Sequence, residues 1–169
     1  WYEITVHGQD AHSGTTPMNR RKDALLGVSR MVDAVNRIAL DQAPFGCGTV
    51  GMMQVTPNSR NVIPGKVFFT VDLRHPDAGV LKAMGEELGR VVAEEAARIG
   101  LTVDFNEIWY SPPVVFAPHL VSAVRGGAEQ LGYAHMDIVS GAGHDACYIA
   151  RVAPTAMVFV PCRDGISHN

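Results

Sequence analysis

The chain has few charges for its size. Of its 169 residues, 18% are Asp, Glu, Lys or Arg, below the roughly 25% of an average domain. Its apolar share is 47%, so a core can form and a disordered chain is excluded. No basic excess exists. A formal net charge of −3 gives no electrostatic footprint for nucleic acid or an anionic membrane surface. No apolar run reaches the roughly 18 residues that a membrane span needs. Cysteine is scarce: Cys47, Cys147 and Cys162 are scattered and form no C-x-x-C. That pattern indicates neither a disulfide framework nor a structural zinc site, and a cytoplasmic, reducing setting is the default. There is no internal repeat. The chain opens on Trp1 without an initiator Met or basic leader and closes on Ser167-His168-Asn169, so both ends read as cut.

What is present is a regular alternation of strand and helix patterns. Tyr2, Ile4 and Val6 alternate with Glu3, Thr5 and His7, which predicts a half-buried strand over 2–8. Thr16-Pro17 reads as a helix start, and apolar residues at helical spacing predict a helix over about 18–40. Thr49–Val55 is a second strand. Val67, Phe69, Val71 and Leu73 alternate with Phe68, Thr70, Asp72 and Arg74 in a third. Pro76 and Asp77 open a second helix that Gly100 closes. Leu101, Val103 and Phe105 mark a fourth strand. The order β-α-β-β-α-β predicts an α+β two-layer sandwich with both helices on the apolar face of the sheet. The other face, with Thr70, Asp72 and Arg74, must meet solvent, a partner or a ligand.

Ser111-Pro112-Pro113 breaks this pattern. Beyond it, Pro118–Leu131 predicts a helix capped by Gly132, and Met136–Val139 a short strand. Ser140-Gly141-Ala142-Gly143-His144-Asp145 is a Gly-rich turn into a helix at about 145–150. Thr155–Val160 is apolar without alternation, as in a parallel strand buried on both faces. This second piece reads as part of an α/β sheet.

None of the seven histidines forms an H-E-x-x-H pair. From spacing alone, a lone His reads first as a surface or hydrogen-bonded residue. Three have a richer context. His12 sits between the first strand and first helix, His144 at the mouth of the Gly-rich loop, and His168 past the apolar segment 155–160. Sites in open α/β sheets lie at the carboxyl ends of strands, where His144 and His168 fall. The Gly-rich loop reads as a tight turn, or as a cradle of backbone N–H groups for an anion. Arg74 is either a surface ion-pair partner of Asp72 or Asp77, or a bidentate clamp for a substrate carboxylate. Asn61 is a turn residue by default, and its amide could serve the same carboxylate. Ser13, Ser167, Cys147, His144 and Asp145 supply parts for nucleophilic catalysis, but no G-x-S-x-G elbow is present. Cys147 reads as a buried apolar thiol.

Together the segments resemble one family. They are Trp1–Val6, Asp10-Ala11-His12-Ser13-Gly14-Thr15-Thr16-Pro17-Met18, Arg20-Arg21-Lys22-Asp23-Ala24-Leu25, Ser59-Arg60-Asn61-Val62-Ile63-Pro64-Gly65, Asp72-Leu73-Arg74, the Ser140–Ala146 loop and Pro161-Cys162 … Gly165-Ile166-Ser167-His168-Asn169. In order, they are similar to the hydantoinase/carbamoylase branch of the M20 metallopeptidase-like amidohydrolases. The resemblance covers essentially the whole chain. It implies a lid or dimerisation domain over 1–111 and a C-terminal portion of the catalytic α/β domain, incomplete, over 112–169. It also implies hydrolysis of the ureido or amide C–N bond of N-carbamoyl-L-amino acids by water activated on two divalent metal ions (zinc, manganese, cobalt or nickel). Allantoate amidohydrolase, β-ureidopropionase and M20 aminoacylase or peptidase activities are alternatives within the resemblance. A stand-alone dimerisation or ligand-binding module is the non-enzyme alternative.

Residue by residue, the resemblance implies His168 as a metal ligand and His12 as the donor that stabilises the oxyanion. It implies Asn61, Arg74 and Gly143 as holders of the substrate carboxylate, and His144 as a neighbouring catalytic-site contact. It implies a homodimer through the lid, with His12 able to reach a neighbour's site. The family's other metal ligands (a His-x-Asp motif, a bridging Asp, a Glu-Glu pair and a further His) are not in this sequence. The expectation is therefore that this chain alone binds no complete metal pair and does not hydrolyse N-carbamoyl amino acids, even with added Zn²⁺ or Mn²⁺.

Overall fold

The computed structural model describes residues 1–166. They form two compact units, divided after Pro113. In the first unit, β1 (Tyr2–His7), β3 (Cys47–Thr56), β5 (Lys66–Arg74) and β6 (Thr102–Glu107) form one antiparallel sheet in the order β3-β5-β1-β6. Two short strands, β2 (Ala11–His12) and β4 (Val62–Ile63), pair separately. Helices α1 (Ala24–Leu40) and α2 (Ala78–Arg98) pack on one face of the large sheet.

Alternation builds this layer. Tyr2, Ile4 and Val6 of β1 and Val67, Phe69, Val71 and Leu73 of β5 are buried against Val28, Met31 and Val35 of α1 and Met84, Leu88 and Val92 of α2. A period of two on the strands and about 3.6 on the helices puts these residues on facing surfaces. Fully burying one such aliphatic side chain contributes about 1.5–3 kcal/mol.

Helix α1 begins at Ala24 rather than near residue 18. Met18–Arg20 is a separate 3₁₀ turn with no buried residue. The Asp23 carboxylate accepts the Leu26 N–H at 3.0 Å, and this cap sets the true start. Asp77 does the same for α2, accepting from Val80 at 2.9 Å. Gly100 follows α2 with φ +68°, the left-handed conformation that favours glycine after a helix. The second strand is longer than expected, Cys47–Thr56, with a bulge between Val50 and Met52.

The second unit holds α3 (Pro118–Gln130) and α4 (Asp145–Ile149). Gly132, at φ +67°, follows α3 as expected. The two strands expected over 136–139 and 155–160 do not form among the described residues. A strand exists only as a ladder, and the one bond from Ala117 N–H to Thr155 O at 2.9 Å does not make one. Asp137 instead receives the Arg125 guanidinium of α3. No described residue of this unit is fully buried, and Cys147 is half-buried rather than in a core. Among the described residues, no helix is long and apolar enough to cross a membrane.

Candidate functional site

The loop after β1 and the loop before β5 are tied together at their bases. Gly8 N–H donates to Gly65 O at 2.7 Å, Gln9 N–H to Lys22 O at 2.9 Å, and Ala24 N–H to Pro64 O at 3.0 Å. The Asp10 carboxylate accepts the Gly65 N–H at 2.7 Å. This closeness requires glycine. A Cβ on Gly8 would lie 2.0 Å from Lys22 O, and one on Gly65 2.5 Å from Asp10 N.

Above this base, β2 and β4 pair antiparallel, with His12 opposite Val62. Ser13 N–H donates to Asn61 O at 2.9 Å, extending the pairing by one step. The His12 and Asn61 loops are thereby joined, with Asn61 one step along the ladder from the position opposite His12, and both residues are exposed. Gly14 N–H donates to His12 Nδ1 at 3.0 Å. With Nδ1 occupied as an acceptor, the neutral ring carries its proton on Nε2, where it is a hydrogen-bond donor. Ser59 Oγ donates to Asn61 Oδ1 at 3.1 Å, a bond that engages the amide oxygen and not its N–H₂. Each of these groups is a donor suited to an oxygen atom that carries negative charge.

Arg74 lies elsewhere. His12 and Asn61 stand at the Lys66 end of β5, whereas Arg74 is its last residue. Eight steps of roughly 3.3 Å separate the two ends by about 26 Å. The Arg74 Nε donates to both Asp72 oxygens, at 3.0 and 3.1 Å, and Nη2 donates to Oδ2. This fork keeps the guanidinium protonated beyond its already high ordinary range. Its side chain is 40% exposed, so Asp72 orients it without burying it.

In the second unit, Ser140 organises the Gly-rich turn. Its Oγ accepts the Ala142 N–H at 3.2 Å and meets His144 Nε2 at 3.2 Å. The His144 ring stands edge-on to Phe159, with centroids 6.1 Å apart. Gly143 adjoins His144 in the exposed loop, and no other atom lies within 4 Å of where its Cβ would be. His168 and Ser167 lie outside the described residues. Among the described residues, no three His, Cys, Asp or Glu side chains gather as metal ligands, so these residues alone do not fit a metal centre.

Sequence reasoning missed the roles of Asp10, Ser59 and Arg21, which hold His12 and Asn61 in place. Asp10, two residues after Gly8, and Ser59, in Pro57-Asn58-Ser59, carry the turn signal that could have found two of them. Arg20-Arg21-Lys22 enters only as part of the resemblance, with no role given to Arg21.

The peptidase family M20/M25/M40 model matches residues 10–169. The chain is 47% identical over its full length to N-carbamoyl-L-amino-acid amidohydrolase from Rhizobium meliloti, of which it covers 41%. It is 43% identical to the enzyme of that name from Paenarthrobacter aurescens, over 98% of this chain and 40% of that protein. The crystal structure of a hydantoinase/carbamoylase family amidase from Burkholderia multivorans matches with TM-score 0.96 and 69% identity, over all of this chain and 41% of that one. The chain thus spans about two fifths of the length of its curated relatives. A family match that spans residues 10–169, nearly the whole chain, leaves one assignment: this chain belongs to peptidase family M20/M25/M40.

Proposed function

We propose that the protein containing this chain is an amidohydrolase that cleaves the ureido C–N bond of N-carbamoyl-L-amino acids. The observation that carries the proposal is His12, an exposed donor fixed on a short ladder that joins its loop to the Asn61 loop, in a chain whose curated relatives are named for that substrate. Residues 1–111 serve as the lid and dimerisation domain, and 112–169 as the C-terminal portion of the catalytic domain.

His12 Nε2–H meets the oxyanion that develops when water adds to the ureido carbonyl. A preorganised donor aimed at developing charge favours the transition state over the ground state. Arg74 and the Asn61 amide hold the substrate carboxylate. One carboxylate cannot touch Asn61 and Arg74 of the same copy across about 26 Å of strand. The proposed site is therefore composite: a homodimer in which one copy supplies His12 and Asn61, and the other supplies Arg74.

Enzymes of this family generally use divalent metal ions. His168 is the proposed ligand from this chain, but the described residues form no metal centre, and no step above passes through one. The 169-residue chain by itself is accordingly proposed to be inactive.

The test is a substrate panel on the whole enzyme: N-carbamoyl-L-amino acids, allantoate, N-acyl amino acids and dipeptides. Ammonia release from the carbamoyl compounds, with the highest kcat/KM of the panel, is expected. Turnover of dipeptides or N-acyl amino acids with none of the carbamoyl compounds would refute the proposal.

A further inference from the structure

The turn that carries His12 is clamped by a side chain outside it. Arg21 Nη2 donates to Ser13 O at 2.6 Å and to Thr16 O at 2.9 Å, and its Nε donates to Thr16 O at 3.1 Å. Ser13 and Thr16 flank the turn closed by Thr16 N–H on His12 O, at 3.2 Å. Inside that turn, Gly14 N–H reaches His12 Nδ1. The clamp itself is anchored. Arg21 is half-buried, and the neighbouring Lys22 O accepts from Gln9 N–H at the root of the same loop. A planar guanidinium fork suits two carbonyls at once, whereas an ammonium group is a single point of contact.

We infer that Arg21 is the positioning residue for His12: by bridging Ser13 O and Thr16 O it keeps the turn closed, so that Gly14 holds Nδ1 and the ring presents Nε2–H. Without the clamp, two carbonyls lose their donor and the turn opens. Nδ1 then loses its fixed partner, and both tautomers become populated. The catalytic consequence rests on the function proposed above; the tautomer does not.

The experiment has two arms. The first is ¹H–¹⁵N correlation of the histidine rings in the 169-residue chain, for wild type, Arg21→Ala and Arg21→Lys. Wild type is expected to show His12 with Nε2 protonated and Nδ1 accepting. Arg21→Ala is expected to average the two nitrogens, and Arg21→Lys to do so in part, with the signals of core residues such as Ile4 and Phe69 unchanged. An unchanged His12 ring signature in either folded variant would overturn the inference. The second arm uses the whole enzyme. Arg21→Ala is expected to lower kcat roughly 10–100-fold with KM little changed, the pattern of a lost transition-state contact, and to add no further loss in a His12→Ala background. Equal losses in both backgrounds would mean that Arg21 acts independently of His12, and would also overturn it. If the enzyme shows no carbamoyl hydrolysis at all, the proposed substrate falls, while the ring spectra still decide the role of Arg21.

Discussion

A guanidinium already paired to a neighbouring carboxylate can still be a working one. Asp72 holds Arg74 by a fork from a position two residues earlier on the same strand face, and so fixes its direction at little conformational cost. Arg74→Ala in the whole enzyme is expected to reduce kcat/KM for carboxylate-bearing substrates by about 2–4 kcal/mol, the range for truncating one partner of a charge-assisted contact. Kinetics on an analogue lacking the carboxylate should be unaffected; equal losses on both would contradict the role. Tyr2 gives a second residue-scale test. Its phenol, buried by the core and hydrogen-bonded to Glu107 at 3.0 Å, is pushed up to about 12. Folding therefore favours the neutral form. This contribution is complete below the ordinary tyrosine value near 10 and is lost as pH rises from there through about 12. Tyr2→Phe should cost about 1 kcal/mol at neutral pH and flatten the fall in stability over that interval. Unfolding midpoints measured against pH in both proteins check it.

At the scale of elements, the strands and helices that share the large core were legible because their periodicity is enforced by burial on one face. Val67, Phe69, Val71 and Leu73 could face only one way. The start of α1 was not, because Thr16-Pro17 carries a helix-start pattern while the Asp23 cap performs the function. The β2–β4 ladder, two residues long on each side, is too short to show alternation, so the joining of the His12 and Asn61 loops needed coordinates. The strands expected over 136–139 and 155–160 were inferred from composition, and composition cannot supply a ladder partner. The glycine contacts at the base of the site make a direct test. Gly8→Ala places a methyl 2.0 Å from a backbone carbonyl, which no rotamer change relieves. Overpacking of this kind costs about 1–3 kcal/mol. Denaturant unfolding should show that loss, and the His12 ring signals should change with it.

For the whole molecule, the long dimension of β5 matters most. It separates two groups that the resemblance assigns to one carboxylate, so the proposed chemistry requires two copies with reciprocal roles. The predicted strand ending on Arg74 already implied part of this separation, but the closeness of the Lys66 end of β5 to the His12 and Asn61 loops needed coordinates. The most direct measurement mixes two inactive single variants of the whole enzyme, His12→Ala and Arg74→Ala, under conditions that exchange subunits. If each site draws His12 from one copy and Arg74 from the other, a mixed pair contains one intact site and one doubly altered site. Random pairing then restores about a quarter of wild-type activity. Both variants remaining inactive after verified subunit exchange would contradict the account.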